Sequence, residues 1–388
     1  MRPWRNWIWL LLPALAACGR DRHIGKGHEF LELGDLERAV QQFSQAINAA
    51  PRDARAHHGL ALAYCRSDSA GPALRQYRIL CKLSPDLADD RFLRQKTAGY
   101  LGLEPYPSSR LTSARGNDAF PAISADGAMI AFSSKRDGNT EIYLMEADGG
   151  GQRRLTDNRG VDYAPSFSPD GRTLAFVSDR DGNDEIYLLD LGTSAQRRLT
   201  HHPGEDGLPA FSPDGGRVLF ISDREDKYRI YSADVLGAGS GRERGLHRVF
   251  DDDLNKIHFS VRRDRLLVQE ERENQVALFT APAEGGPKQA LACPPFRAGL
   301  PTVLSPDGEH LLFTSSREGN DELYLLRVRD GASVRLTASP SQEFGFGFSP
   351  DGKQLLFDSN RGGDRDIYLM HLDRLMTREE ILAAIERE

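Results

Sequence analysis

The 388-residue sequence has little cysteine, methionine or tryptophan, no excess of positive charge, and no catalytic signature. Each scarcity excludes something. The apolar stretch from Trp7 to Ala17 is 11 residues, whereas a bilayer-spanning helix needs about 20. A net charge of -7 removes the electrostatic footprint of a nucleic-acid binder, so nucleic acid is not an expected partner. HExxH, GxSxG and GxxxxGK[ST] are all missing, which leaves no zinc-peptidase, nucleophile-elbow or phosphate-loop chemistry to assign. The pairs His57-His58 and His201-His202 are adjacent and cannot chelate as an i, i+4 pair does; they read as solvated. The spacing of Cys65 and Cys81 matches no metal or redox motif. They read as a disulfide or as buried thiols, and Cys293 as structural. No cofactor and no metal is expected.

What is present describes a folded chain: 39% hydrophobic and 28% charged residues, with 37 glycines and 21 prolines that imply many tight turns and short strands. At roughly 150 residues per domain, two or three domains are expected. Arg2 and Arg5 precede the short apolar run, which ends in Leu15-Ala16-Ala17-Cys18. A charged start, a short apolar core and small residues before a cleavage point make a signal peptide. The last four residues resemble the bacterial lipobox, which implies cleavage before Cys18 and lipid attachment on its thiol. The alternative is an ordinary secretory signal with a chance cysteine. Residues 1–17 are therefore read as signal and 18–26 as a tether. Gly19, where some bacteria place an inner-membrane retention aspartate, favours the outer membrane.

Ala39, Phe43 and Pro51 return as Ala73, Tyr77 and Pro85, each 34 residues later. The apolar spacing between them is helical, with breaks at Gly34-Asp35 and at Pro51. The small-aromatic-proline pattern resembles the tetratricopeptide repeat, assigned to residues 27–100 with a capping helix from 88 and a linker over 101–109. Two repeats fall short of the three that usually stand alone, so this unit is expected to dock on its neighbour or on a partner.

A longer period follows. SADG at Ser124 and SPDG at Ser168, Ser212, Ser305 and Ser349 are spaced by 44, 44, 93 and 44 residues, and the long interval splits at Ser260. Each unit reads as four short strands joined by tight turns, the pattern of propeller blades. The DGN turns read as type I′ hairpins that need no calcium. Fourth strands of the RLT type follow the early blades, but the sixth unit ends without one. The missing copy, Arg110-Leu111-Thr112, stands at the domain's start, so the chain closes a six-bladed ring with its own beginning. These repeats resemble the TolB-type propeller of the bacterial envelope. The fold class is thus multidomain: all-α helical repeats, then an all-β six-bladed β-propeller over 110–373, and a helix over 374–388.

Aligned blades show two rings of charge. Arg136, Arg180, Arg224, Arg272, Arg317 and Arg361 each lie twelve residues past the turn serine, and Asp118, Asp162, Asp206, Asp253 and Glu343 stand three residues before the first strand, with Ala298 the exception. Such pairs meet either as bridges locking adjacent blades or as a polar funnel for a partner. A second acid, five residues after the arginine, occurs at Glu141, Glu185, Glu322 and Asp366 but is Arg229 and Ala277 in blades three and four. There the repeats drift, next to the GAGSGRERG stretch and Asp251-Asp252-Asp253, which marks either a partner surface or relaxed constraint. The first strands read small and apolar with serines, against a calcium cage. The candidate partner-binding residues are Asp118, Asp162, Asp206, Asp251, Asp252, Asp253, Arg229 and Glu343, and Cys18 is the lipid site. The function expected is a non-catalytic, lipid-anchored periplasmic scaffold for envelope proteins or peptides. The resemblance implies contact with partners like peptidoglycan-associated lipoproteins. The alternative is an envelope hydrolase or lyase with a metal-assisted site at the channel mouth.

Overall fold

A computed structural model describes residues 8–225, 227–237, 243–250, 255–262, 265–272, 275–291, 301–317 and 319–387. The chain divides into two compact units, residues 1–105 with 375–388, and residues 106–374.

The first unit contains α1 (Ile8–Glu32), α2 (Leu36–Ala49), α3 (Ala54–Arg66), α4 (Ala70–Leu83), the single turn α5 (Pro85–Ala88), α6 (Arg91–Tyr100) and α7 (Arg378–Ile385). Asp35 and Asp53 cap α2 and α3 by accepting from Arg38 N at 3.2 Å and Arg55 N at 3.0 Å. Phe43 is wholly buried because Gly27 and Gly59 leave room for it; a Cβ on either would fall within 2.7 and 2.2 Å of the ring.

The helix that carries the start of the repeat begins before residue 27. His23 Nδ1 meets Gln42 Oε1 at 2.8 Å, and 34 residues on His57 Nδ1 meets Gln76 Oε1 at 2.7 Å. Residues 20–26 are therefore helix rather than tether, with Ile24 in the core beside Phe43 and Leu60. His57 is buried rather than solvated, and its Nε2 lies 2.9 Å from Pro51 O. The two-repeat deficit is met within the unit: α7 brings Ile381 into the cluster of Tyr77, Leu80, Cys81 and Leu93. Arg378 pairs with Asp89 at 3.5 Å. Cys65 and Cys81 are free and buried, which pushes their thiols up to about 12 and about 11, so they behave as packing groups. Cys293 and the Cys18 side chain lie outside the described residues.

The second unit is six antiparallel four-stranded sheets. Blades 1 to 5 start at Asp118, Asp162, Asp206, Asn255 and Val303. Blade 6 is Glu343–Phe348, Gln354–Gly362, Asp364–His371 and, as its outer strand, Ser108–Arg110. The pairings Ser108↔Met370 and Arg110↔Tyr368, extended by Leu111 N donating to Ile367 O at 2.8 Å, close the ring as the sequence requires. Blades 1, 2, 3, 5 and 6 each pack a cross-strand ring pair such as Phe176 on Tyr187, 5.8 Å apart, whereas blade 4 sets Val268 opposite Phe279. The innermost strands of blades 1 to 3 begin with the aligned acid itself, three residues earlier than expected. They bulge two residues later, where Phe120, Ala164 and Leu208 hold φ of 53°, 51° and 51°.

Candidate functional site

The pairs of the first charge ring form within single blades, in blades 1, 2, 3 and 6. Arg136 reaches Asp118 at 2.8 Å, Arg180 Asp162 at 2.9 Å, Arg224 Asp206 at 2.9 Å, and Arg361 Glu343 at 3.0 Å. This corrects the expectation of bridges between adjacent blades, and antiparallel pairing is the reason. Asp162 lies opposite Ser178 at the end of the neighbouring strand, and the arginine two residues further on folds back over both. Its Nε donates to Ser178 Oγ at 2.8 Å, and its guanidinium stands 4.4 Å over the Tyr187 ring. All four acids are 0% exposed. In blade 5 Arg317 lies 3.8 Å over Tyr324. Ala298, the Arg272 side chain and Asp251, Asp252 and Asp253 lie outside the described residues.

The second acid binds the fourth strand. Glu141 pairs with Arg154 at 2.7 Å, Glu185 with Arg198 at 2.6 Å, Glu322 with Arg335 at 2.7 Å and Asp366 with Arg110 at 2.5 Å. The threonine of the RLT strand donates to the same carboxylate, Thr156 to Glu141 at 2.6 Å and Thr200 to Glu185 at 2.5 Å. These groups also join consecutive blades. Glu185 accepts from His202 N at 2.9 Å, on the loop into blade 3, and Asn183 Nδ2 donates to His202 O and Gly204 O, both at 2.9 Å. Asn320 repeats this clamp on Ser339 O at 2.6 Å and Ser341 O at 2.7 Å. The asparagine of the DGN turn is thus a blade-to-blade tie. Its signal was the fixed spacing of Asn and acid, two residues apart. The turn itself is not type I′: Gly182 N donates to Asp179 O at 2.9 Å, and Gly182, at φ 113°, is its left-handed residue.

Where the repeats drift, internal partners replace the lost ones. Arg229, in the second-acid position of blade 3, is only 3% exposed, and Arg248 turns instead to Glu225 at 3.0 Å. Glu243 stands where blades 1 and 2 use Gln152 and Gln196, holding Arg224 at 2.8 Å and accepting from His201 N at 3.1 Å. In blade 4 Lys288 pairs with buried Glu270 and lies 5.3 Å over Phe279, so the cation-on-ring arrangement is rebuilt from the outer strand. The candidate residues Asp118, Asp162, Asp206, Arg229 and Glu343 are thus buried side chains, the four acids each paired with an arginine of its own blade. His201 and His202 are half-buried; His202 Nδ1 accepts from Gly204 N at 2.9 Å.

Among the described residues, the acids and arginines of the two rings do not line the channel between the innermost strands. It encloses about 460 Å³ lined by residues such as Phe120, Ala164, Pro209, Val303 and Phe346. Among the described residues, one exposed group has metal-ligand spacing: Asp307, Glu309 and His310. Asp307 there accepts from Ser305 Oγ at 2.5 Å and Glu309 N at 2.9 Å, as Asp170 does from Ser168 Oγ and Arg172 N in blade 2. The turn explains the cluster.

Burial raises the carboxyls of Asp162, Asp184, Asp206, Asp358 and Asp366, most of all in Asp206 and Asp358. Desolvation pushes Asp206 up to about 6 against the pull of Arg224. It pushes Asp358, in blade 6, up to about 7 despite the Arg365 guanidinium 2.7 Å away. A raised carboxyl stabilises the fold fully below the unfolded value of 3.8, and this contribution is lost as pH rises through the folded value. Asp358→Asn is thus expected to gain on the wild type between pH 4 and 7 by about 3 kcal/mol, levelling above that. Urea midpoints of both proteins across this range check it, and parallel curves refute the assignment to Asp358.

The TolB β-propeller domain model matches residues 156–293 and 286–380, and a tetratricopeptide repeat model matches residues 27–67. TolB from Acinetobacter baumannii is 27% identical over 58% of this chain, with a TM-score of 0.51; the match spans 56% of that chain, just over half its length. The gluconolactonase XC5397 from Xanthomonas campestris is 14% identical over 69% of this chain and 89% of its own, also with a TM-score of 0.51, a likeness of fold alone. No curated protein matches.

Proposed function

The chain belongs to the TolB β-propeller family, and from that premise we propose that it is a non-catalytic scaffold of the bacterial envelope, lipid-anchored through Cys18 and facing the periplasm. Its helical repeats and its propeller each present a surface to envelope proteins. One observation carries the reading. In blades 1, 2, 3 and 6 the aligned acid and arginine are consumed as a buried ion pair within the blade, leaving the loops between blades as the variable surface. Both modules are repeat architectures, which can present extended faces to partners.

The anchor has a structural consequence. Cys18 stands two residues before Arg20, whose Nε pairs with Asp53 at 3.1 Å in the helical unit. A lipid on Cys18 holds that unit against the leaflet with no flexible spacer. Among the described residues no helix is long and apolar enough to cross a membrane. Partners akin to peptidoglycan-associated lipoproteins and an outer-membrane location belong to the same proposal.

A photoreactive amino acid placed at exposed Arg159, on the loop into blade 2, or at exposed Ile79 of α4 tests it in the native envelope. The expected result is a discrete protein adduct from at least one position and none from buried Phe176. Adducts no different from that buried control would count against a scaffold.

A further inference from the structure

The end of the helical unit that carries Cys18 gathers positive charge in a chain whose net charge is -7. Arg20, Arg22 and Lys26 follow the cysteine on α1, and Arg52 and Arg55 stand on either side of Asp53 at the start of α3. Against these five cations stand two acids, and both are consumed. Asp21 is held by Arg55 at 2.8 Å and Arg20 at 3.3 Å, and Asp53 by Arg55 at 2.9 Å and Arg20 at 3.1 Å. This network leaves over Arg22, Lys26 and Arg52, which are exposed and whose side chains have no partner among the described residues. Exposed charges contribute little to stability even when paired, so the fold does not account for these three.

Their distance from the cysteine decides what they can reach. At a rise of about 1.5 Å per helical residue, Arg22 stands about 6 Å and Lys26 about 12 Å from Cys18 along α1. The two lie four residues apart and so share one face, and helical side chains lean toward the N-terminus, which carries both charges back toward the cysteine. Arg52 is level with the first turn after Cys18, because Arg20 grips the adjacent Asp53. A membrane's surface potential extends over about 8 Å at physiological salt, and each Lys or Arg within its reach strengthens association with an anionic surface about fivefold. We propose that this end of the helical unit binds the headgroups of anionic phospholipids, with Arg22, Lys26 and Arg52 as the contacts, so that charge and acyl chain hold it to the membrane together. This contact rests on the proposed lipid at Cys18, which delivers the patch to the leaflet.

Native mass spectrometry of the full chain in detergent, titrated with phosphatidylglycerol or with phosphatidylcholine, reads the headgroup preference as a ratio of dissociation constants. The wild type is expected to hold phosphatidylglycerol about tenfold more tightly. Arg22→Glu, Lys26→Glu and Arg52→Glu together are expected to bring the two constants within about twofold of each other. Arg75→Glu, Arg78→Glu and Lys82→Glu, at exposed positions of α4, remove the same charge elsewhere and are expected to leave the preference intact. All six positions are exposed, and circular dichroism of each variant establishes that it is folded. No preference in the wild type, or equal loss in the two variants, overturns the surface. The same spectra weigh Cys18 directly: an unmodified cysteine overturns the anchor alone, while the ratio of constants still judges the patch.

Discussion

Replacing Asp162 by alanine is expected to cost the propeller about 3–5 kcal/mol, the loss seen when one partner of a buried ion pair is removed and the other stays. Its carboxylate is wholly enclosed and holds Arg180 Nη2 at 2.9 Å, Ser178 Oγ at 2.6 Å and Asn158 Nδ2 at 2.7 Å. All three donors face an empty site in the variant, and the guanidinium stays pinned over Tyr187. Asp170→Ala is the matched control. That acid lies exposed in the SPDG turn, bonded to Ser168 Oγ at 2.6 Å and Arg172 N at 3.1 Å, so its loss is expected to cost about 1 kcal/mol or less. Calorimetric melting of the three proteins separates the roles. If Asp162→Ala melted with the wild type while a crosslinked partner was lost, the carboxylate would be a contact residue and the structural account would fall.

The closing strand gives the second large effect. Leu111→Pro removes the N–H that donates to Ile367 O at 2.8 Å and leaves that carbonyl unpaired. Displacing the strand also strands Asp366, which is 0% exposed and pairs with Arg110 at 2.5 Å. The lost hydrogen bond and the orphaned acid together are expected to cost about 4 kcal/mol or more. The injury should be local at first, because an opened edge frays from the outer strand inward. Hydrogen exchange is expected to show amide protection falling in Asp364–His371 while Glu185–Asp190 of blade 2 is unchanged. Unchanged protection in Asp364–His371 would mean that the ring does not depend on this junction, and uniform loss across both segments would refute local fraying.

The ring was legible because its information is local and repeated. The SPDG turn needs a glycine that takes positive φ, as Gly171 does at 70°. The middle strands are short apolar runs buried on both faces, as Leu174–Ser178 is, and the displaced Arg110-Leu111-Thr112 copy shows how the edge is closed. Pairing partners were not legible. Acid and arginine sit 18 residues apart in sequence in blades 1 to 3 and 6, a spacing that fits either a neighbour in the same sheet or one in the next blade. Asn183 was misread for the same reason: a turn residue shows its backbone duty in sequence and hides the loop its side chain will reach. His23 and His57 did carry a signal, a 34-residue repeat of His with Gln, but the apolar run before them suggested a leader and a tether.

The sequence by itself determined the number of blades, the order of the two units and the closure of the ring, since each is written in periodicity and turn chemistry. Tertiary structure alone decided that the charge rings are internal clamps, that α7 completes the helical unit, and that the drifting blades mend themselves with Lys288 and Glu243. The physical reason is that periodic burial is a property of neighbours along the chain. The partner of a buried charge is a property of what folding brings beside it, and burial makes that partner obligatory without naming it.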